Sequence, residues 1–172
     1  MKKIYNYLLN LFKKKEYKVL NTSQHSLNMY LTSECDWKDT DINYVKYLIK
    51  LGADVHTDKD FCLHAACKRG NLKLVKLLVE CGADVHALSD MAIQYAAKHG
   101  HLDVVKYLVK KGADIYADGG YPLTSAALYG HEDVVKYLLK IGKYNMYALD
   151  RAYHWAQGSN NLSIVRLIEE IL

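Results

Sequence analysis

Apolar residues recur along this chain in blocks that repeat every thirty positions. Each block contains a valine, an apolar or aromatic residue just before it, and a leucine or isoleucine three residues after it. The valines are Val45, Val75, Val105, Val135 and Val165. This spacing places the apolar residues on one face of an amphipathic helix of about ten residues. A fixed period of this length predicts stacked repeats rather than a single globular core.

Glycines punctuate the repeat at two stations. One set closes the apolar blocks, thirty residues apart: Gly52, Gly82, Gly112 and Gly142. A glycine in this place is expected to end the helix in the left-handed conformation. A second set follows alanine-rich stretches: Gly70, Gly100 and Gly130. Alanine favours helices and lets a neighbouring helix approach, so each repeat is predicted to be two antiparallel helices joined at the second glycine.

The sequence motifs around these glycine positions resemble those of the ankyrin repeat. The motifs of that family are Thr-Pro-Leu-His, Gly-His-Leu-Glu-Val-Val-Lys-Leu-Leu and Gly-Ala-Asp. This chain matches them at Leu63-His64-Ala65-Ala66, Pro122-Leu123-Thr124, residues 100–108 and residues 112–114. Several motifs recur in phase over residues 28–172, which makes the resemblance specific. It implies an all-α, helix-turn-helix solenoid of about five stacked repeats with an N-terminal capping helix.

The same alignment divides the chain into segments. A basic amphipathic N-terminal helix and a polar break are predicted at 1–27, a degenerate first repeat at 28–57, three ankyrin repeats at 58–87, 88–117 and 118–147, and a C-terminal capping repeat at 148–172. The first repeat is expected to carry a two-residue insertion. In the last repeat Asn160 replaces the turn glycine, and asparagine tolerates the left-handed conformation.

The repeat is shorter than the family unit of about 33 residues. The three missing residues fall in the loop between repeats, where the family builds a β-hairpin finger. We therefore predict three stubby finger loops with little or no regular β pairing, at 58–60, 88–90 and 118–120.

Charge is concentrated at the start of the chain. Of the net +4, residues 1–26 carry six lysines and one glutamate (+5), which leaves 17 basic and 18 acidic residues (−1) in residues 27–172. Nucleic-acid binding draws on clustered lysine and arginine, so the neutral array disfavours a nucleic-acid partner. No apolar run approaches the ~20 residues that span a bilayer, and no signal peptide is evident. An intracellular, soluble protein is expected.

The N-terminal stem allows two interpretations. Ile4, Leu8, Leu11 and Phe12 share one helical face, with lysines around it. The favoured interpretation is a helix that caps the first repeat. The alternative is a membrane-associated adaptor in which residues 1–18 lie on an anionic membrane.

No motif for catalysis occurs, so the chain is predicted not to be an enzyme and to need no cofactor or small-molecule substrate. His64 and His154 stand at the Leu-His station, where the resemblance implies a structural role. The pair His99 and His101 lacks a third ligand, so no metal is predicted. The four cysteines show neither metal-binding nor disulfide-framework spacing and are expected to be reduced thiols.

By family resemblance, the finger loops and the exposed end of each first helix bind a partner protein. The residues expected to do so are Asp58, Lys59, Asp60, Lys68, Arg69, Ser89, Asp90, Lys98, His99, Asp118, Tyr121, Leu128 and Tyr129. The predicted function is a non-catalytic protein-protein interaction module, a scaffold or adaptor, with a nucleic-acid binder as the remote alternative. In its abundance of lysine and tyrosine, the chain is similar to ankyrin proteins of large DNA viruses.

Overall fold

The structure is a computed structural model that describes residues 23–37 and 39–172. Within these residues the chain forms ten α-helices and no β-strand. The helices are α1 (Gln24–Cys35), α2 (Ile42–Lys50), α3 (Thr57–Arg69), α4 (Leu72–Glu80), α5 (Ala87–Lys98), α6 (Leu102–Lys110), α7 (Ala117–Leu128), α8 (Glu132–Ile141), α9 (Met146–Gly158) and α10 (Leu162–Glu169). The all-α repeat solenoid predicted from the sequence is confirmed. The predicted N-terminal helix lies outside the described residues.

The helices form two layers. The first helices of successive repeats, α1, α3, α5, α7 and α9, pack closely against one another, whereas successive second helices touch only sparsely. The stack therefore curves with the first helices on the inside. Small residues permit their close approach, and four of them are buried at thirty-residue intervals: Ala66, Ala96, Ala126 and Ala156.

The terminating glycines behave as predicted in three repeats and differently in the fourth. Gly52, Gly82 and Gly112 have φ of 102°, 102° and 96°. Gly142 is extended instead, with φ −102° and ψ 150°, so the left-handed prediction is wrong there. A Cβ on Gly142 would lie 2.6 Å from the Tyr144 ring. Glycine is needed at this position for space, because Tyr144 replaces the aspartate of the Gly-Ala-Asp word.

The finger loops contain no strand, as predicted, but their conformation was not foreseen. All residues of 58–60, 88–90 and 118–120 have φ between 49° and 84°, so each loop is one left-handed turn that precedes a right-handed helix. This conformation costs a non-glycine residue about 1–2 kcal/mol. Only the third loop contains glycine, so the first two require compensation from their surroundings.

The first and last repeats depart from the middle ones. Helix α1 begins at Gln24, four residues before the predicted boundary of the first repeat, and its N-cap Ser23 accepts a hydrogen bond from the Ser26 amide at 3.3 Å. Six residues separate α1 from α2, against two between α3 and α4, which places the extra residues of the first repeat in this turn. In the last repeat α9 begins at Met146, and Asn160 has the expected positive φ of 59°.

Each inner turn is interlocked with the repeat that follows it. The imidazole of His101 fills the space beside Gly70, where a Cβ would lie 2.4 Å from its Nδ1 atom, and its Nε2 bonds the Lys68 carbonyl at 3.1 Å. His131 meets Gly100 in the same way at 2.4 Å. Glycine is therefore required at these turns both for its positive φ and for the ring that packs on it.

Candidate partner-binding groove

The inner surface of the curve is one face of each first helix. Residues at i, i+4 and i+7 share a helix face, so three rows cross the surface; we call the surface they form the inner groove. The finger-side row is Met29, Phe61, Met91, Tyr121 and Arg151. The floor row is Ser33, Ala65, Tyr95, Ser125 and Trp155. The turn-side row is Asp36, Lys68, Lys98, Leu128 and Gly158.

The finger-side row is apolar over four repeats. Met29 and Phe61 are exposed (59% and 37%), while Met91 and Tyr121 are half-buried. In the floor row Ala65 and Ser125 are buried, whereas Ser33 and Trp155 at the two ends are exposed. The groove is thus a shallow channel with an apolar wall on its finger side.

A cleft of about 380 Å³ opens at the first end of the groove, between α1 and α3. Met29 and Phe61 form its apolar part, and Asp36 and Asp58 line its edge. The Asp36 carboxylate accepts a hydrogen bond from the Arg69 guanidinium at 2.9 Å. Arg69, one of the predicted partner-binding residues, therefore takes part in a contact that joins two repeats.

Positive charge collects on the turn side at the middle of the groove. Burial lowers the pKa of His99, and the neighbouring His101, Lys68 and Lys98 lower it further. Lys98 places its Nζ atom 5.4 Å from the centre of the Tyr129 ring. Neither Lys68 nor Lys98 forms an ion pair with any residue that the structure describes.

A second cleft, of about 460 Å³, lies between the third finger loop and α9. Three tyrosines line it, namely Tyr116, Tyr144 and Tyr147, together with Lys143 and the two loop glycines. The rings of Tyr116 and Tyr144 meet edge to face at 5.1 Å, and the Tyr116 hydroxyl accepts a hydrogen bond from the Lys143 amide at 2.8 Å. Burial raises the pKa of Tyr144, with smaller contributions from Tyr116 and Asp114.

Two of the predicted partner-binding residues are buried and serve the fold. Asp60 accepts hydrogen bonds from the Asp84 amide at 2.9 Å and from His56 Nδ1 at 3.1 Å. Asp90 accepts equivalent bonds from the Asp114 amide at 2.8 Å and from His86 Nδ1 at 3.0 Å. We therefore correct the expectation for Asp60 and Asp90: each carboxylate ties its finger loop to the Gly-Ala-Asp motif that precedes the next finger loop, and it leaves almost no surface for a partner.

The other predicted residues fall into two places. Asp58, Lys59, Ser89 and Asp118 are exposed on the finger loops, and Lys68, Lys98, His99, Tyr121, Leu128 and Tyr129 lie in or beside the rows of the groove. Sequence reasoning missed Met29, Phe61, Met91, Tyr95 and Trp155. The sequence shows Phe61, Met91 and Tyr121 at thirty-residue intervals, so these three could have been found. Aligning Met29 with them requires knowing where the insertion in the first repeat lies.

His64 and His154, the two histidines at the Leu-His position, differ in burial. His64 is buried, and burial lowers its pKa against the opposing influence of Asp60 and a hydrogen bond to the Ala87 backbone. Its Nε2 atom has no hydrogen-bond partner among the residues that the structure describes. His154 is exposed, with Nδ1 2.8 Å from the Asp150 carbonyl. The described residues contain no cluster of three or more His, Cys, Asp or Glu that could hold a metal ion.

All four thiols are free, and only Cys81 is exposed. A hydrogen bond with Cys62, followed by burial, raises the pKa of Cys35, and burial raises the pKa of Cys67. A thiol with a raised pKa stays protonated and is a poor nucleophile.

Paired helices in a curved stack with an open inner groove define a helical repeat protein. A family model of three ankyrin repeats matches residues 35–118, and a model of a single ankyrin repeat matches residues 118–151. The chain belongs to the ankyrin repeat family, whose members are generally protein-protein interaction modules and typically non-catalytic. No curated protein matches the chain significantly. Among the described helices, none has the length and apolar character needed to cross a bilayer.

Proposed function

We propose that this chain is a non-catalytic scaffold or adaptor that holds a partner protein along its inner groove. The observation that carries this proposal is the finger-side row. Four large apolar side chains line up across four consecutive repeats on a surface that packs against no other described element: Met29, Phe61, Met91 and Tyr121. Apolar and aromatic anchors of this kind dominate the energetics of protein interfaces.

Rigidity of the groove supports the same proposal. Side chains at the inner turns and finger loops bond the neighbouring repeat, as in the 2.9 Å contact of His131 Nε2 with the Lys98 carbonyl and the 2.8 Å bond from Asn161 Nδ2 to the Ala127 carbonyl. A pre-formed surface loses little conformational entropy on binding. Five first helices at a spacing of about 8–10 Å also provide room for an interface of ~800 Å² per partner.

Affinity capture from the native cell tests the proposal. A Phe61→Ser and Met91→Ser variant changes two neighbouring anchors in the groove. Its matched control is Ile141→Ser and Leu162→Ser, two apolar residues exposed on the second-helix layer. We expect the groove variant to lose partners that the intact chain and the control retain, with circular dichroism confirming that all three are folded. Identical partner sets in the groove variant and the intact chain would contradict the proposal.

A membrane-associated adaptor is the second candidate, favoured by the basic amphipathic pattern of residues 1–18. Flotation with vesicles that contain anionic lipid tests it on the full chain and on a chain that begins at Ser23. Starting at Ser23 keeps the N-cap of α1 intact. Vesicle binding by the full chain alone is expected for this candidate, and equal recovery of the two chains would remove it.

A further inference from the structure

We propose that the segment held in the inner groove is an acidic amphipathic helix. Its apolar side chains contact Phe61, Met91 and Tyr121, and its carboxylates face Lys68, Lys98 and His99. This proposal rests on the proposed function and adds the chemistry of the partner.

The two rows that flank the groove have different characters over the middle repeats. On the finger side Phe61, Met91 and Tyr121 present apolar surface, and on the turn side Lys68 and Lys98 present ammonium groups. Members of the two rows are seven residues apart on each first helix, so about 10 Å separates them across the groove. An α-helix is about 10–12 Å wide with its side chains. A helix lying along the groove therefore contacts both rows with opposite flanks.

The spacing along the groove also suits a helix. Successive first helices are about 8–10 Å apart, and seven residues of an α-helix rise about 10.5 Å. One apolar residue in every seven of the partner therefore meets Phe61, Met91 and Tyr121 in turn. On the opposite flank of the partner helix, acidic residues with the same seven-residue spacing meet Lys68 and Lys98.

The charge on the turn side is not neutralised by described residues. Arg69 is held by Asp36 at 2.9 Å, but Lys68 and Lys98 form no ion pair within residues 23–37 and 39–172. His99 lies beside both lysines and His101, and burial together with these neighbours lowers its pKa. A carboxylate placed here gains attraction from the ammonium groups of Lys68 and Lys98.

The first end of the groove sets the register of the partner. Asp36 and Asp58 line the first cleft. Asp36 is paired with Arg69, but the Asp58 carboxylate disfavours an acidic side chain of the partner there. The acidic helix therefore stops short of the first cleft and covers the second to fourth repeats, where Phe61, Met91 and Tyr121 lie.

Selection from a displayed library of random peptides against the full chain tests this proposal. Enriched peptides are expected to combine apolar residues with flanking Asp and Glu and to shift the amide resonances of α3, α5 and α7. The variant Lys68→Glu and Lys98→Glu should weaken their binding roughly tenfold or more. Its matched control is Lys76→Glu and Lys106→Glu, which makes the same charge change in the same repeats on the second-helix layer, and it should change binding less than about twofold.

The possible outcomes separate the two proposals. Groove-binding peptides without acidic preference, or equal effects of the two charge-reversal variants, would overturn the acidic partner and leave the protein-binding function standing. Failure to select any peptide that perturbs the groove would count against both. The Lys68→Glu and Lys98→Glu variant keeps the contact with His101, because that contact uses the Lys68 backbone carbonyl, and a thermal melt verifies that the variant is folded.

Discussion

Consecutive finger-loop segments of the stack are joined by one chemistry at the two middle junctions and by another at the last junction. At the middle junctions, Asp60 and Asp90 end a left-handed loop without glycine and accept the amide of the next Gly-Ala-Asp word at 2.9 and 2.8 Å. At the last junction Gly120 takes the aspartate's place, and the Tyr116 and Tyr144 rings pack there instead. Strain and compensation thus vary together: the loops that are costly to form carry a buried carboxylate, and the glycine-containing loop does not.

Removing a carboxylate at a middle junction should produce the largest effect. In Asp90→Ala the Asp114 amide loses its acceptor at 2.8 Å, and the loop keeps its left-handed strain. We expect a loss of about 2–3 kcal/mol in the free energy of unfolding, measured with urea. Asp90→Asn retains an oxygen acceptor and should lose less than half as much. If the alanine variant unfolded at the wild-type urea midpoint, the carboxylate would not be what stabilises the loop.

The last junction should resist even a methyl group. Gly120 has φ 84°, and a Cβ there would lie 3.2 Å from the Ala148 Cβ. Gly120→Ala should therefore destabilise the protein by about 1–2 kcal/mol in the same titration. Gly158→Ala is the control, because no atom lies within 4 Å of its Cβ position, and it should be neutral or slightly stabilising. A neutral Gly120→Ala would mean that this glycine is not required.

Transplanting glycine into a middle loop should relieve strain. Ser89 is exposed with φ 58° and ψ 51°, so Ser89→Gly removes the left-handed penalty and loses no buried contact. We expect a gain of about 0.5–1 kcal/mol after the greater freedom of the unfolded chain is counted. The reciprocal Gly119→Ser should lose a similar amount. Destabilisation by Ser89→Gly would show that the loop is not strained.

The smallest effect concerns pH at the second repeat. The pKa of buried His64 is lowered from 6.5 in the folded state, so the unfolded chain binds more protons as the pH falls through about 6.5. The contribution of His64 to stability is therefore full above that pH and decreases below it. His64→Gln, which places the residue of position 94 at this station, should flatten the decline in unfolding free energy. A steeper decline in His64→Gln would reverse the assignment.

Most of the scaffold could be predicted because its signals are local and repeated. The valine and leucine stripes, the alanines and the turn glycines specify helix pairs by spacing alone. The finger loops could not be predicted in the same way, since Asp58, Lys59 and Asp60 carry no sign of a left-handed turn. Their conformation depends on the Asp60 carboxylate, which accepts a hydrogen bond from the amide of Asp84, 24 positions further along the chain.

The candidate groove was predictable in part for a similar reason. Exposed positions of the family pattern led to Lys68, Lys98, Tyr121 and Leu128, which lie in the rows of the inner groove. The same pattern also included Asp60 and Asp90, because a polar residue in a loop gives no indication of burial when its partner lies 24 residues further along the chain. At Gly142, the residue type matched the pattern while a single neighbouring ring, that of Tyr144, changed the backbone conformation.

The interlock between each inner turn and the next repeat makes the middle units interchangeable. Gly70 meets the imidazole of His101 as Gly100 meets that of His131, both at 2.4 Å from a notional Cβ. Excision of one complete middle unit would bring Gly70 against His131, and the junction would close with the same atoms. Lengthening or shortening such an array by whole units changes the reach of its inner surface without requiring a new joint.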